Sequence, residues 1–205
     1  DYIVHCGNFT AKGRTIDYEV GVKTFLPFRN SFILCPGPND LKGYGEMLFN
    51  KYFDMEHIIE KDDCSFYVLN TSSPETEHGV VGRTTRNRLS RYVYHTKMNQ
   101  KEVFNTVIMH HHIIPISGTK EISALEDAGD VLRTLIDTEV NLVLSGHMGK
   151  AFATRVEKSV FVNCNTFSSP ITTSLENSFN IIDISQEGGI VVSEISVPSG
   201  FRRIL

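Results

Sequence analysis

The sequence predicts an α/β fold: a two-layer β core with helices outside, in a single domain. Three observations carry that prediction. Short apolar, β-prone runs alternate with helix-spaced segments through the first two-thirds of the chain. Strands then follow one another to the end. Four of the strand-like runs stop abruptly at glycine or at side chains able to bind ligands.

In chain order, Tyr2 to His5 runs into Cys6-Gly7-Asn8. Ala11 to Leu26 has helical periodicity through Ile16, Val20 and Leu26, weakened by Gly13 and Gly21. Ser31 to Cys35 runs into Pro36-Gly37-Pro38-Asn39-Asp40. Tyr44, Met47, Leu48 and Tyr52 recur at helical spacing and predict a helix over 46–53. Phe66 to Asn70 reads as a strand and 71–82 as a polar, exposed loop. Thr106 to Met109 runs into His110-His111-His112. Ser123 and Glu126 have capping-box spacing, each able to bond the other's backbone N–H; Leu125, Ala128, Leu132, Leu135 and Ile136 continue one helical face.

The stretch NLVLSGHMGK, 141–150, organises the rest. Its strand, Leu142 to Leu144, is apolar throughout, as a strand buried on both faces must be, and it presents His147 just past a Ser-Gly turn. Polar groups at the carboxyl ends of such strands open into a crevice. Four such ends gathered along one sheet edge make a polar pocket, the predicted site. Further strands are predicted over 153–156, 160–163, 179–184 and 190–195, the last two flanking the hairpin turn Gln186-Glu187-Gly188-Gly189.

Composition narrows the function. The chain has 205 residues, 40% apolar and 21% charged, which suits one soluble globular domain. A net charge of −4 gives no overall pull towards nucleic acid or acidic membranes. No apolar run approaches the ~20 residues of a bilayer span, and no signal peptide is visible, so a cytoplasmic location is expected. Cys6, Cys35, Cys64 and Cys164 lie far apart, which predicts free thiols in a reducing compartment. The chain begins at Asp1 and enters a strand almost at once, which suits a trimmed piece of something longer.

Each candidate residue has a bland reading as well. Asn8 and Asn39 suit turns, because asparagine tolerates left-handed backbone. His147 suits a satisfied loop histidine, and Cys6 and Cys35 suit small core residues. A soft metal site of Cys6, His110 and His147 is the chemical alternative. His112 reads as exposed or packed. The acid-free stretch 79–100, with Arg83, Arg86, Arg88, Arg91 and Lys97, reads as a solvated helix or loop face docked by Leu89 and Tyr92. Its functional alternative is recognition of a phosphorylated ligand.

In order, spacing and strand context these blocks resemble the calcineurin-like metallophosphoesterases, especially the class III cyclic-nucleotide phosphodiesterase branch. The resemblance covers nearly the whole chain, including FVNCNTFSSP at 161–170. The family's blocks read DxH, GD, GNHD, H(H) and GHxH. The resemblance implies a metallophosphoesterase-like two-sheet β sandwich flanked by helices, in α-β-β-α layers. It also implies two divalent ions (manganese, iron or zinc) ~3.5–4 Å apart, activating a bridging water against a phosphate ester or cyclic nucleotide.

Matched block by block, this chain departs from the pattern. Asn8 stands at the bridging aspartate, Pro38 at the metal-binding asparagine, Asn39 at the assisting histidine and Gly149 at the second histidine of GHxH. The first strand and its DxH do not occur within 1–205. Asn8, His110 and His147 remain as metal ligands, Asn39 and His111 as catalytic candidates, and Arg83 and Arg86 as substrate-binding candidates. The resemblance therefore implies at most one divalent metal ion and an impaired or inactive module that binds a ligand or a partner. The alternative is an active metal-dependent phosphodiesterase with two ions. Expected partners are a phosphorylated small molecule and a second copy or partner subunit, not nucleic acid or a membrane.

Overall fold

The structure, a computed structural model, describes residues 1–61, 63–99, 103–116, 125–168 and 176–205. Its first elements are β1 (Ile3–His5), α1 (Thr15–Phe25), β2 (Phe32–Leu34), α2 (Pro38–Leu41) and α3 (Gly45–Tyr52). Then come β3 (His57–Lys61), β4 (Cys64–Val68), α4 (Gly82–Asn99), β5 (Phe104–Ile108), α5 (Ala128–Asp137) and β6 (Leu142–Ser145). The last are β7 (Phe152–Val156), β8 (Ser159–Asn163), β9 (Asn177–Ile184), β10 (Ile190–Val197) and β11 (Arg202–Ile204).

One layer is a six-stranded sheet in the order β3-β4-β5-β6-β8-β7, its four central strands parallel and its two edge strands antiparallel to their neighbours. Successive side chains of a strand point to opposite faces, so each central strand feeds two cores. Tyr67, Val107, Val143 and Phe161 pack under α4 and α5 with Leu89, Val93, Val131 and Leu135. Phe66, Val68, Ile108, Leu144 and Val162 point the other way, into the sandwich interior. The second layer covers them with two sheets: parallel β1-β2, and antiparallel β11-β10-β9. Outside β1-β2, α1 and α3 bury Tyr18, Leu48 and Phe49 against Leu34. The layers thus run α-β-β-α, as expected.

Some elements differ from the sequence reading. The segment 82–99 is a full helix, α4, although it has no acid of its own. Its charges are matched from elsewhere, by Glu56 on Arg88, Asp127 and Asp130 on Arg86, and Glu139 on Lys97. Ser123 of the expected capping box lies outside the described residues; α5 is described from Ala128. The edge strands β3 and β11 were not anticipated. No helix among the described residues is long and apolar enough to cross a membrane.

Candidate functional site

The loops after β1, β2, β5 and β6 converge, but across the sandwich and not along one sheet edge, because β1 and β2 belong to the opposite layer from β5 and β6. The approach is close enough to demand glycine. A Cβ on Gly7, whose φ is +86°, would lie 2.5 Å from His110 Nδ1 and 2.8 Å from the Gly37 nitrogen. Asn8 and His147 have positive φ as well, 57° and 71°, a backbone region that non-glycine residues adopt sparingly and that recurs at functional loops.

The imidazoles form a directed chain. The Cys6 carbonyl can only accept, so His110 Nδ1, 2.6 Å away, carries the proton and donates to it. His110 Nε2 is then the lone-pair nitrogen, and His147 Nδ1 donates to it at 3.0 Å. His111 is held separately: Nε2 donates to the Glu77 carbonyl at 3.1 Å, and Nδ1 accepts from the Thr71 hydroxyl at 2.8 Å. His112 is packed and not exposed, its ring stacked on His147 with centroids 6.4 Å apart.

Burial keeps these rings neutral. It pushes His110 well below its ordinary range, helped by the neighbouring His111 and His147. His111 falls to about 3, through burial and then the charge of His147. Burial also lowers His147, partly opposed by the Glu77 charge. Neutral imidazoles have the lone pairs a metal needs, and one nitrogen each of His110, His111 and His147 lie within 4.8 Å of one another. These three side chains could hold a metal ion.

They do not fit a binuclear centre. No aspartate or glutamate belongs to the cluster among the described residues. Asn8 Oδ1 already accepts from the Asn39 nitrogen at 3.0 Å. Pro38, buried at the start of α2, has no side-chain donor atom. Both nitrogens of His111 have protein partners. Cys6 offers His110 its carbonyl, while its thiol faces Cys164, so the alternative set of Cys6, His110 and His147 is not what the chain assembles. Cys6 and Cys35 are core residues, and all four cysteines are free thiols.

The nearby carboxylate of Asp40 has another task. It is fully buried and accepts from the Thr10 nitrogen at 2.6 Å, the Thr10 hydroxyl at 3.0 Å and the Gly37 nitrogen at 2.9 Å. Burial raises its pKa against the opposing effect of those donors. Arg86 is turned towards Asp127 and Asp130, whereas Arg83 is exposed with no partner among the described residues.

Three rim residues escaped the sequence reading: Thr71, Glu77 and Lys42. Lys42 donates to Asn39 Oδ1, and its ammonium lies 3.9 Å from the Glu77 carboxylate. The available signal was position, since 71–82 directly follows a core strand that pairs with β5.

The layers and the meeting of the strand ends are those of the calcineurin-like metallophosphoesterase fold. No family model matches the chain, and no curated protein matches it. Among solved structures, a dimetal phosphatase from Danio rerio superposes with a TM-score of 0.66 at 10% identity, over 98% of this chain and 82% of that one. GAP50, described as the anchor in the inner membrane complex of Plasmodium, gives 0.58 at 15% identity, over 98% and 86%. Vacuolar Protein Sorting 29 from Cryptosporidium parvum gives 0.51 at 12% identity, over 100% and 79%. At such identities the likeness shows the fold alone.

Proposed function

We propose that this chain is a ligand-binding or interaction module on the metallophosphoesterase fold, with an incomplete binuclear centre and little or no hydrolytic activity. The observation that carries this is an imidazole cluster to which no carboxylate belongs among the described residues, with His110 and His147 bonded to each other. Two divalent cations a few ångströms apart repel strongly, and neutral ligands cannot offset that charge as a bridging carboxylate does. His110, His147 and Asn8 would hold at most one divalent ion of manganese, iron or zinc. Asn39 and His111, the catalytic candidates, are tied to Asn8, Lys42, Thr71 and Glu77. Arg83 is the arginine left for a phosphorylated ligand. The neighbour described as an anchor supports a role for this fold in assembly. The free thiols support a reducing, cytoplasmic setting.

The test is hydrolysis of bis-p-nitrophenyl phosphate in excess manganese. The expected rate equals that of a His110→Ala/His147→Ala double variant. A clear metal-dependent excess over that variant, or two metal equivalents by elemental analysis, would establish the opposite reading, an active dimetal hydrolase like the Danio rerio neighbour.

A further inference from the structure

We infer that a groove between the C-terminal ends of α4 and α5 docks an extended segment of a partner protein, with one acidic residue followed by apolar ones. The groove has a volume of about 540 Å³ and is lined by Arg91, Tyr94, His95 and Lys97 of α4 and by Asp137 and Glu139 at the end of α5. It is separate from the crevice. α4 ends five residues before β5 begins, and α5 five residues before β6. These helix ends therefore lie by the amino ends of the strands whose carboxyl ends open into the crevice.

The α4 wall is a stripe of definite composition. Arg91, Tyr94, His95 and Met98 recur at i, i+3, i+4 and i+7, so they share one side of the helix. Leu89, Val93 and Thr96 are buried on the other side. Tyr94 is 63% exposed and Met98 67%, an apolar pair left to solvent beside the groove.

Charge selects the occupant. Both acids of the groove are already matched, Asp137 by Arg133 at 3.6 Å and Glu139 by Lys97 at 3.0 Å and by Lys158. Arg91 is not. It is exposed, and its one bond among the described residues is a long one, 3.4 Å, from Nε to the Asn87 carbonyl of its own helix. Its two terminal NH2 groups remain for an incoming carboxylate, which they can meet with two parallel bonds. A polyanion such as nucleic acid needs a row of unmatched cations, and here one stands beside two apolar side chains. Spacing fits an extended peptide. Met98 lies about 10 Å along the helix axis from Arg91, with Tyr94 between them. An extended chain advances ~3.3 Å per residue and turns alternate side chains to one side. An acid on Arg91 therefore sets the second and fourth residues after it against Tyr94 and Met98.

The experiment titrates a fluorescein-labelled heptapeptide, SETLTLS, with the purified chain and reads fluorescence anisotropy. Saturable binding is expected. Replacing its glutamate by glutamine should weaken binding about fivefold in the parent but not in Arg91→Ala, where the charge it meets has gone. Tyr94→Ala should weaken it as well, and Lys23→Ala, on α1, should leave it unchanged. Absence of saturable binding would overturn the inference. So would equal binding by the parent, Arg91→Ala and Tyr94→Ala, each verified as folded by circular dichroism. Tighter binding of an oligothymidine than of the peptide would overturn it in favour of nucleic acid. A parent dimer in analytical ultracentrifugation that Arg91→Ala dissolves would overturn it in favour of a second copy.

Discussion

The loop after β2 and the loops after β5 and β6 meet in one crevice, yet they use their ionisable groups in opposite ways. Asp40 is a buried carboxylate surrounded by three donors from the chain itself. His110 and His147 are imidazoles that bond to a carbonyl and to each other. The negative charge of Asp40 therefore fastens Thr10 and Gly37, and through them the β1 and β2 loops.

The largest effect is expected at Asp40. Asp40→Ala strips buried donors of their acceptor and should destabilise the protein by about 3–5 kcal/mol in chemical denaturation. An unchanged midpoint would mean that the carboxylate is not structural.

A smaller effect separates buried imidazole from solvent. His5 is held against the rings of Phe9 and Phe32, its Nδ1 lacks a hydrogen-bond partner among the described residues, and burial lowers its pKa to about 4. Because this value lies below the ordinary 6.5, the unfolded state binds the proton first. Stability present above pH 6.5 is then lost as pH falls towards 4. Between pH 7 and 5, His5→Phe should lose about 1–2 kcal/mol less stability than the parent. Parallel pH profiles for the two proteins would contradict this.

The smallest effect sharpens the role of His111. Thr71→Val removes the hydroxyl that donates to Nδ1 and should cost about 1 kcal/mol without changing zinc uptake. Greater uptake in the variant would show that His111 becomes a ligand once that nitrogen is released.

Much of this arrangement is legible in the sequence because strands with abrupt ends are a short-range signal. The runs before Cys6, Pro36, His110 and Ser145 all form strands, and their ends meet. What the sequence does not reveal depends on distant partners. Layer membership of β1 and β2 is decided by pairing across the chain, so a pocket along one edge was the wrong geometry. The helix α4 looked ambiguous because the acids matching its arginines lie 32 to 44 residues away along the chain, and no local pattern reports them. The partners of His111 are hidden for the same reason, since Thr71 and Glu77 contribute a hydroxyl and a backbone carbonyl from more than 30 residues upstream.

The tight fit between Gly37 and Asn8 points beyond the present molecule. Replacing the Asn8 amide nitrogen with oxygen alters no heavy-atom volume and keeps the acceptor that the Asn39 nitrogen uses. A formal anion can therefore be installed on the Gly7–Asn8 turn with the main chain left in place. What such a change adds to the site is charge and not shape, and it takes a single atom.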